Sequence, residues 1–190
     1  RDDLVTGVQT CALPILACWV SLAIAAMLLI QTQAQGVISY PIGSWEPPWG
    51  IEYRVDVLNA FMLVLVCGMA ALVVPYSVAS IKAEVPQEQH YLFYTMFLLC
   101  LTGLLGMCIT GDAFNIFVFL EISSLATYVL IALGRHRRSL IAAYQYLIMG
   151  SIGATFIVIG IGMLYLMTGT LNLADMGQRM AEVRGTRPVL

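Results

Sequence analysis

Residues 113–133 read AFNIFVFLEISSLATYVLIAL, and Glu121 is the only carboxyl or amine side chain among them. As an α-helix rising 1.5 Å per residue, such a stretch crosses the roughly 30 Å hydrocarbon core of a bilayer. An acid at that depth costs about 2.5–3.5 kcal/mol on insertion scales. Membrane proteins keep that cost where the acid faces a bundle interior and binds or relays an ion. The stretch therefore predicts a transmembrane helix with a proton or cation site at Glu121. The competing reading is a permanently protonated glutamate that hydrogen-bonds a neighbouring helix as packing glue.

Helical spacing extends the site. Ser124 and Tyr128 follow Glu121 by three and seven residues. At 100° per residue both fall within about 60° of the glutamate's direction, so the three form a polar stripe. Hydroxyls placed there stabilise a carboxylate or hold water for a proton path. Burial raises a carboxyl pKa and a nearby cation lowers it, so an acid between these influences loads and releases protons near neutral pH. Asp112 lies nine residues before Glu121, on the opposite side of an ideal helix. It reads as a helix N-cap rather than an ion-entry point.

The rest of the chain supports a membrane setting. It is 60% hydrophobic and 11% charged, where soluble domains carry about 25% charged residues. The expected fold class is all-α, a polytopic transmembrane helical bundle surrounded by lipid. A net charge of −2 and the lack of a basic patch argue against nucleic-acid binding. Cys18, Cys67, Cys100 and Cys108 lie in apolar runs with no CxxC spacing or partnering histidines, so no metal site is expected.

Five spans are expected at about residues 16–30, 57–80, 91–110, 113–133 and 139–167. Residues 31–56 read as a loop whose Tyr40, Trp45, Trp49 and Tyr53 suit the membrane–water interface. Pro75 is placed to kink or shorten the second span. Three arginines, Arg135, Arg137 and Arg138, put their loop in the cytoplasm by the positive-inside rule. Residues 111–112 and 31–56 then face outward and 81–90 inward. The polar tail falls outside despite Arg179, Arg184 and Arg187, in mild conflict with that rule.

On the fifth span Gln145 is placed either to bond across helices or to line a water path. Gly150, Ser151, Gly153 and Ala154 allow close helix approach. His136, in the arginine loop, and His90 have an unperturbed pKa suited to proton relay, although a solvated loop histidine is the plainer reading. Lys82 is the one lysine and lies in a loop. Glu121 is therefore expected to be neutral at rest or to find its partner elsewhere, because a buried unpaired charge is costly.

Residues 5–15, VTGVQTCALPI, look like the in-frame translation of a sequencing-library adapter. Residues 1–15 are accordingly expected to stand outside the fold. Residues 16–179 are expected to be part of a membrane domain and 180–190 a polar tail, the whole an internal piece of a longer subunit.

The runs TGDAFNIFVFLE (residues 110–121), ISSLATYVLIALG (122–134), AAYQYLIMGSIGATFIVIGIGMLYLMTGTLNLADM (142–176) and GSWEPPWGI (43–51) resemble the proton-conducting antiporter-like membrane subunits. Within that family the chain looks like the D-type subunit of the Mrp Na⁺/H⁺ antiporter, which is related to subunits of NADH–quinone oxidoreductase and membrane-bound hydrogenases. The resemblance implies about fourteen helices in two inverted halves, with these five spans as helices two to six. It implies that Glu121 translocates protons, coupled to a lysine on the helix that follows. Many relatives carry a lysine where this chain has Gln145. No flavin, iron–sulfur or quinone motif is present, so no cofactor is expected, and redox chemistry would sit on other subunits.

The expected function is thus proton translocation in a multisubunit cation/proton antiporter of the plasma (inner) membrane, with protons and Na⁺ as the ions. One alternative is a proton-pumping subunit of a respiratory oxidoreductase or hydrogenase complex, which would make the chain at most part of an enzyme. Another is a structural membrane subunit without its own transport.

Overall fold

A computed structural model describes residues 2–183, with side chains for residues 12–181. The helices are α1 (Asp2–Gln35), α2 (Val57–Glu84), α3 (His90–Ile109), α4 (Ala113–Ala132), α5 (Arg137–Thr168) and α6 (Leu173–Val183). Two short strands, β1 (Ile38–Pro41) and β2 (Glu52–Val55), lie between α1 and α2. Among the described residues, five helical stretches are long and apolar enough to cross a membrane: Ala12–Gln35, Val57–Glu84, Gln87–Ile109, Ala113–Ala132 and Arg137–Thr168. The number agrees with the expected bundle. Arg184 and Arg187 of the tail lie outside the described residues.

Each long helix packs on the next one in the chain, α1 on α2, α2 on α3, α3 on α4 and α4 on α5. Short connections between long helices enforce this antiparallel order. All turns therefore fall at two ends. At one end, the Val85 carbonyl between α2 and α3 accepts from Arg135 Nη2 at 3.3 Å and lies 3.1 Å from His90 Nε2. At the other end gather the strands, the α3–α4 turn and the α5–α6 turn.

Where lipid replaces water as the solvent, helices associate through close packing and small residues. Gly103 and Gly106 supply this between α3 and α4. A Cβ on Gly103 would lie 2.7 Å from the Phe119 carbonyl oxygen and 2.8 Å from Ser123 Cβ. One on Gly106 would overlap the Phe119 ring. Hydroxyls inside the spans are mostly satisfied within their own helix, as with Thr32 to the Leu28 carbonyl at 2.9 Å and Thr127 to the Ser123 carbonyl at 2.8 Å.

Two expectations change. Residues 31–56 contain an antiparallel hairpin, with Ile38 opposite Val55 and Tyr40 opposite Tyr53, where the sequence reads as loop. Runs of four residues flanked by prolines carry too little alternation to reveal strands. Pro75 does not shorten α2, which continues to Glu84. Within the stretch 168–190, which the sequence allows to begin a connecting helix, α6 forms and is joined to α5 through Gly169 at φ 71°, the left-handed conformation that glycine adopts at helix C-termini.

Candidate functional site: an unpaired polar stripe on α4

Two faces of α4 behave differently. The face toward α3 carries Phe119, Ser123 and Thr127. Ser123 donates to the Leu120 carbonyl at 2.8 Å, and Thr127 lies 3.5 Å from Cys100 Sγ. The opposite face carries Phe114, Phe117, Glu121, Ser124 and Tyr128, which follow each other at helical spacing. Glu121 and Ser124 are half-buried, and neither they nor Tyr128 form a hydrogen bond or ion pair with any described residue. Polar groups held at membrane depth are normally paired. This stripe is polar, lies within a candidate membrane span and has no polar partner among the described residues.

The stripe is asymmetric along the helix. On the hairpin side of Glu121 the rings of Phe114 and Phe117 pack 6.0 Å apart. On the arginine-loop side come Ser124 and Tyr128. Tyr128 is buried and meets the Tyr146 ring of α5 edge-on, with centroids 5.2 Å apart.

The other expected residues are not brought to this stripe. Gln145 is exposed, and five residues from Gly150 it points away from the face of α5 that meets α4. His136 is exposed, and its carbonyl, rather than its ring, accepts from Ser139 N at 2.9 Å. About 16 Å of helix separates Glu121 from the end of α4, so the His136 ring is remote from the carboxyl. His90 stays with the Val85 carbonyl at the arginine-loop end. Asp112 caps α4, accepting from Asn115 N at 2.8 Å.

Sequence reading missed a second polar cluster, at the hairpin end. Glu52 is 6% exposed. Its Oε1 accepts from Ser39 Oγ and its Oε2 from Asn172 Nδ2 at 3.0 Å. Asn172 Oδ1 simultaneously caps α6, accepting from Ala174 N at 3.0 Å and Asp175 N at 3.2 Å. The Glu52 carbonyl accepts from Gly111 N at 2.8 Å, and Leu173 N donates to the Gly111 carbonyl at 2.9 Å. Hairpin, α3–α4 turn and α6 are thereby clasped together. In α6, Arg179 Nε donates to Asp175 Oδ1 at 3.0 Å. That bond, with the Thr170 hydroxyl and the Arg179 charge, outweighs desolvation and holds the Asp175 carboxyl below the ordinary carboxylate range.

Residues 110–187, spanning the polar stripe, match the family described as NADH:quinone oxidoreductase/Mrp antiporter, TM. This stretch is similar to that antiporter-like membrane family. It is 51% identical over 158 residues to NADH-quinone oxidoreductase subunit N of Desulforudis audaxviator, covering 82% of this chain and 31% of that protein. It is 28% identical over 165 residues to the D-type subunit of the Na⁺/H⁺ antiporter of Alkalihalophilus pseudofirmus, covering 87% of this chain and 33% of that one. Its fold superimposes on the membrane-bound sulfane sulfur reductase, an archaeal respiratory membrane complex, with a TM-score of 0.80 and 26% identity, covering 93% of this chain and 38% of that one. The antiporter-like chain thus spans about a third of the length of the curated relatives it matches.

Proposed function

We propose that the antiporter-like chain is part of a proton-translocating membrane subunit and that Glu121 is its proton site. The observation that carries this reading is the unpaired state of Glu121, Ser124 and Tyr128, on a helix whose other polar side chains are bonded. A carboxyl without a fixed partner, between aromatic rings and hydroxyls, exchanges its proton toward the hydroxyl side. Gln145 and His136 have no part in that step. The arginine loop faces the cytoplasm, and the plasma membrane is the setting that bacterial relatives support.

The subunit works within a larger membrane complex whose other helices cover the open face of α4 and α5. In an antiporter, proton flow exchanges against Na⁺. A second reading places the same proton step in a redox complex, where other subunits oxidise the substrate. The 51% identity to an oxidoreductase subunit, against 28% to an antiporter subunit, favours this second setting. The Glu121→Gln variant tests the step common to both. In everted vesicles carrying the assembled complex, it is expected to abolish proton movement and leave assembly intact. Wild-type proton movement by that variant would refute the role. Whether Na⁺ or a redox substrate drives the wild-type signal separates the two settings.

A further inference from the structure

The seam between α4 and α5 holds a tyrosine whose hydroxyl is accommodated by the absence of a side chain. Tyr128 is 8% exposed, yet its hydroxyl bonds to no described residue. A Cβ built on Gly150 of α5 would overlap that hydroxyl oxygen and lie 2.9 Å from Tyr128 Cζ. Tyr146, one helical turn earlier on α5, presses edge-on against the same ring. One neighbour thus leaves a notch and the other fixes the ring that fills it. Simple packing of an apolar seam is met by phenylalanine, whereas the Tyr128 hydroxyl keeps some exposure and stays open to a water or another polar partner.

We propose that Gly150 and Tyr146 are positioning residues that hold the Tyr128 hydroxyl as the polar station through which protons pass between Glu121 and the arginine-loop side. This rests on the reading of Glu121 as the proton site. Tyr128 lies seven residues beyond Glu121, about 10 Å along the axis, a gap that one or two waters and Ser124 bridge. The hydroxyl both donates and accepts, so it passes a proton on without holding charge.

The experiment compares Tyr128→Phe, Gly150→Ala, their combination and Glu121→Gln in everted vesicles carrying the assembled complex. Tyr128→Phe removes one oxygen and keeps the ring packing. It is expected to lower the maximal rate of proton movement about tenfold while the pH of half-maximal rate stays unchanged, as for a lost relay rather than an altered proton site. Gly150→Ala displaces the hydroxyl and is expected to slow transport similarly. The double variant is expected to be no slower than the slower single, because both act through one hydroxyl.

A wild-type rate for Tyr128→Phe with an inactive Glu121→Gln would overturn the station and leave the proton site standing. Normal transport by Glu121→Gln would remove the proton site itself, and a slow Tyr128→Phe beside it would equally overturn a station serving Glu121. Additive losses in the double variant would reduce Gly150 to packing. If Gly150→Ala fails to assemble, Tyr128→Phe alone decides the matter.

Discussion

At the scale of single residues, the antiporter-like chain sorts its intramembrane polar groups by whether they are paired. Glu121 announces itself in the sequence because no other carboxyl or amine shares its span. Glu52 does not, because it sits among other polar residues in a stretch that reads as loop, and its partner Asn172 lies 120 residues away. No local pattern encodes such a contact. Asn172 uses both ends of its amide, Oδ1 for the cap of α6 and Nδ2 for Glu52. Asn172→Asp keeps the cap and sets a second carboxylate against the first. Two carboxylates that close cannot both stay ionised. The variant is expected to lose about 1–3 kcal/mol at neutral pH. The pair's pKa is raised in the folded state, so stability returns as pH falls and one carboxyl is protonated. Thermal unfolding of the detergent-solubilised complex at two pH values checks this. A loss that grows on acidification would contradict it.

At the scale of elements, the apolar runs predict the five long helices well, because a helix that satisfies its own backbone needs only length and hydrophobicity to cross a bilayer. Which face of each helix meets which neighbour is not legible, since apolar residues run nearly all round α4 and its polar stripe does not name a neighbour. The glycines decide it. Gly103 and Gly106 lie three residues apart on α3 and receive Phe119 and Ser123 of α4. Gly106→Leu is expected to destabilise the α3–α4 pair by about 1–3 kcal/mol through overpacking against the Phe119 ring. Thermal unfolding of the solubilised complex measures it, and an unshifted transition would show that the seam has room.

The short helix α6 gives a pH expectation. Its Asp175 has a lowered folded pKa. The contribution of this group is therefore complete above the ordinary carboxylate range and disappears as pH falls through the lowered value. Asp175→Asn is expected to increase deuterium uptake in residues 173–183 only slightly at neutral pH, because exposed i,i+4 ion pairs contribute little. A large increase would mean that the pair anchors the helix.

At the scale of the whole molecule, the long helices packed in chain order present two chemically distinct ends, one rich in arginine and one closed by the hairpin and α6. Substituting Trp45 and Arg137 each by cysteine tests the orientation. Both are exposed. An impermeant maleimide is expected to label Trp45→Cys from the outside of intact cells and Arg137→Cys only in everted vesicles. The reverse pattern would invert the orientation, and labelling of both from one side would break the alternating order of the helices.

The clasp at the hairpin end has a consequence in time. At about 5–20 residues per second, Glu52 is made about 6–24 s before Asn172. Through that interval its carboxylate waits in water while α2, α3, α4 and α5 are threaded across the bilayer. Four crossings return the chain to the side from which it left, so the two residues meet. If one crossing is skipped, Asn172 emerges on the wrong side and Glu52 Oε2 is left without its amide partner. The buried carboxylate thus finds its full set of partners only when an even number of crossings separates it from Asn172.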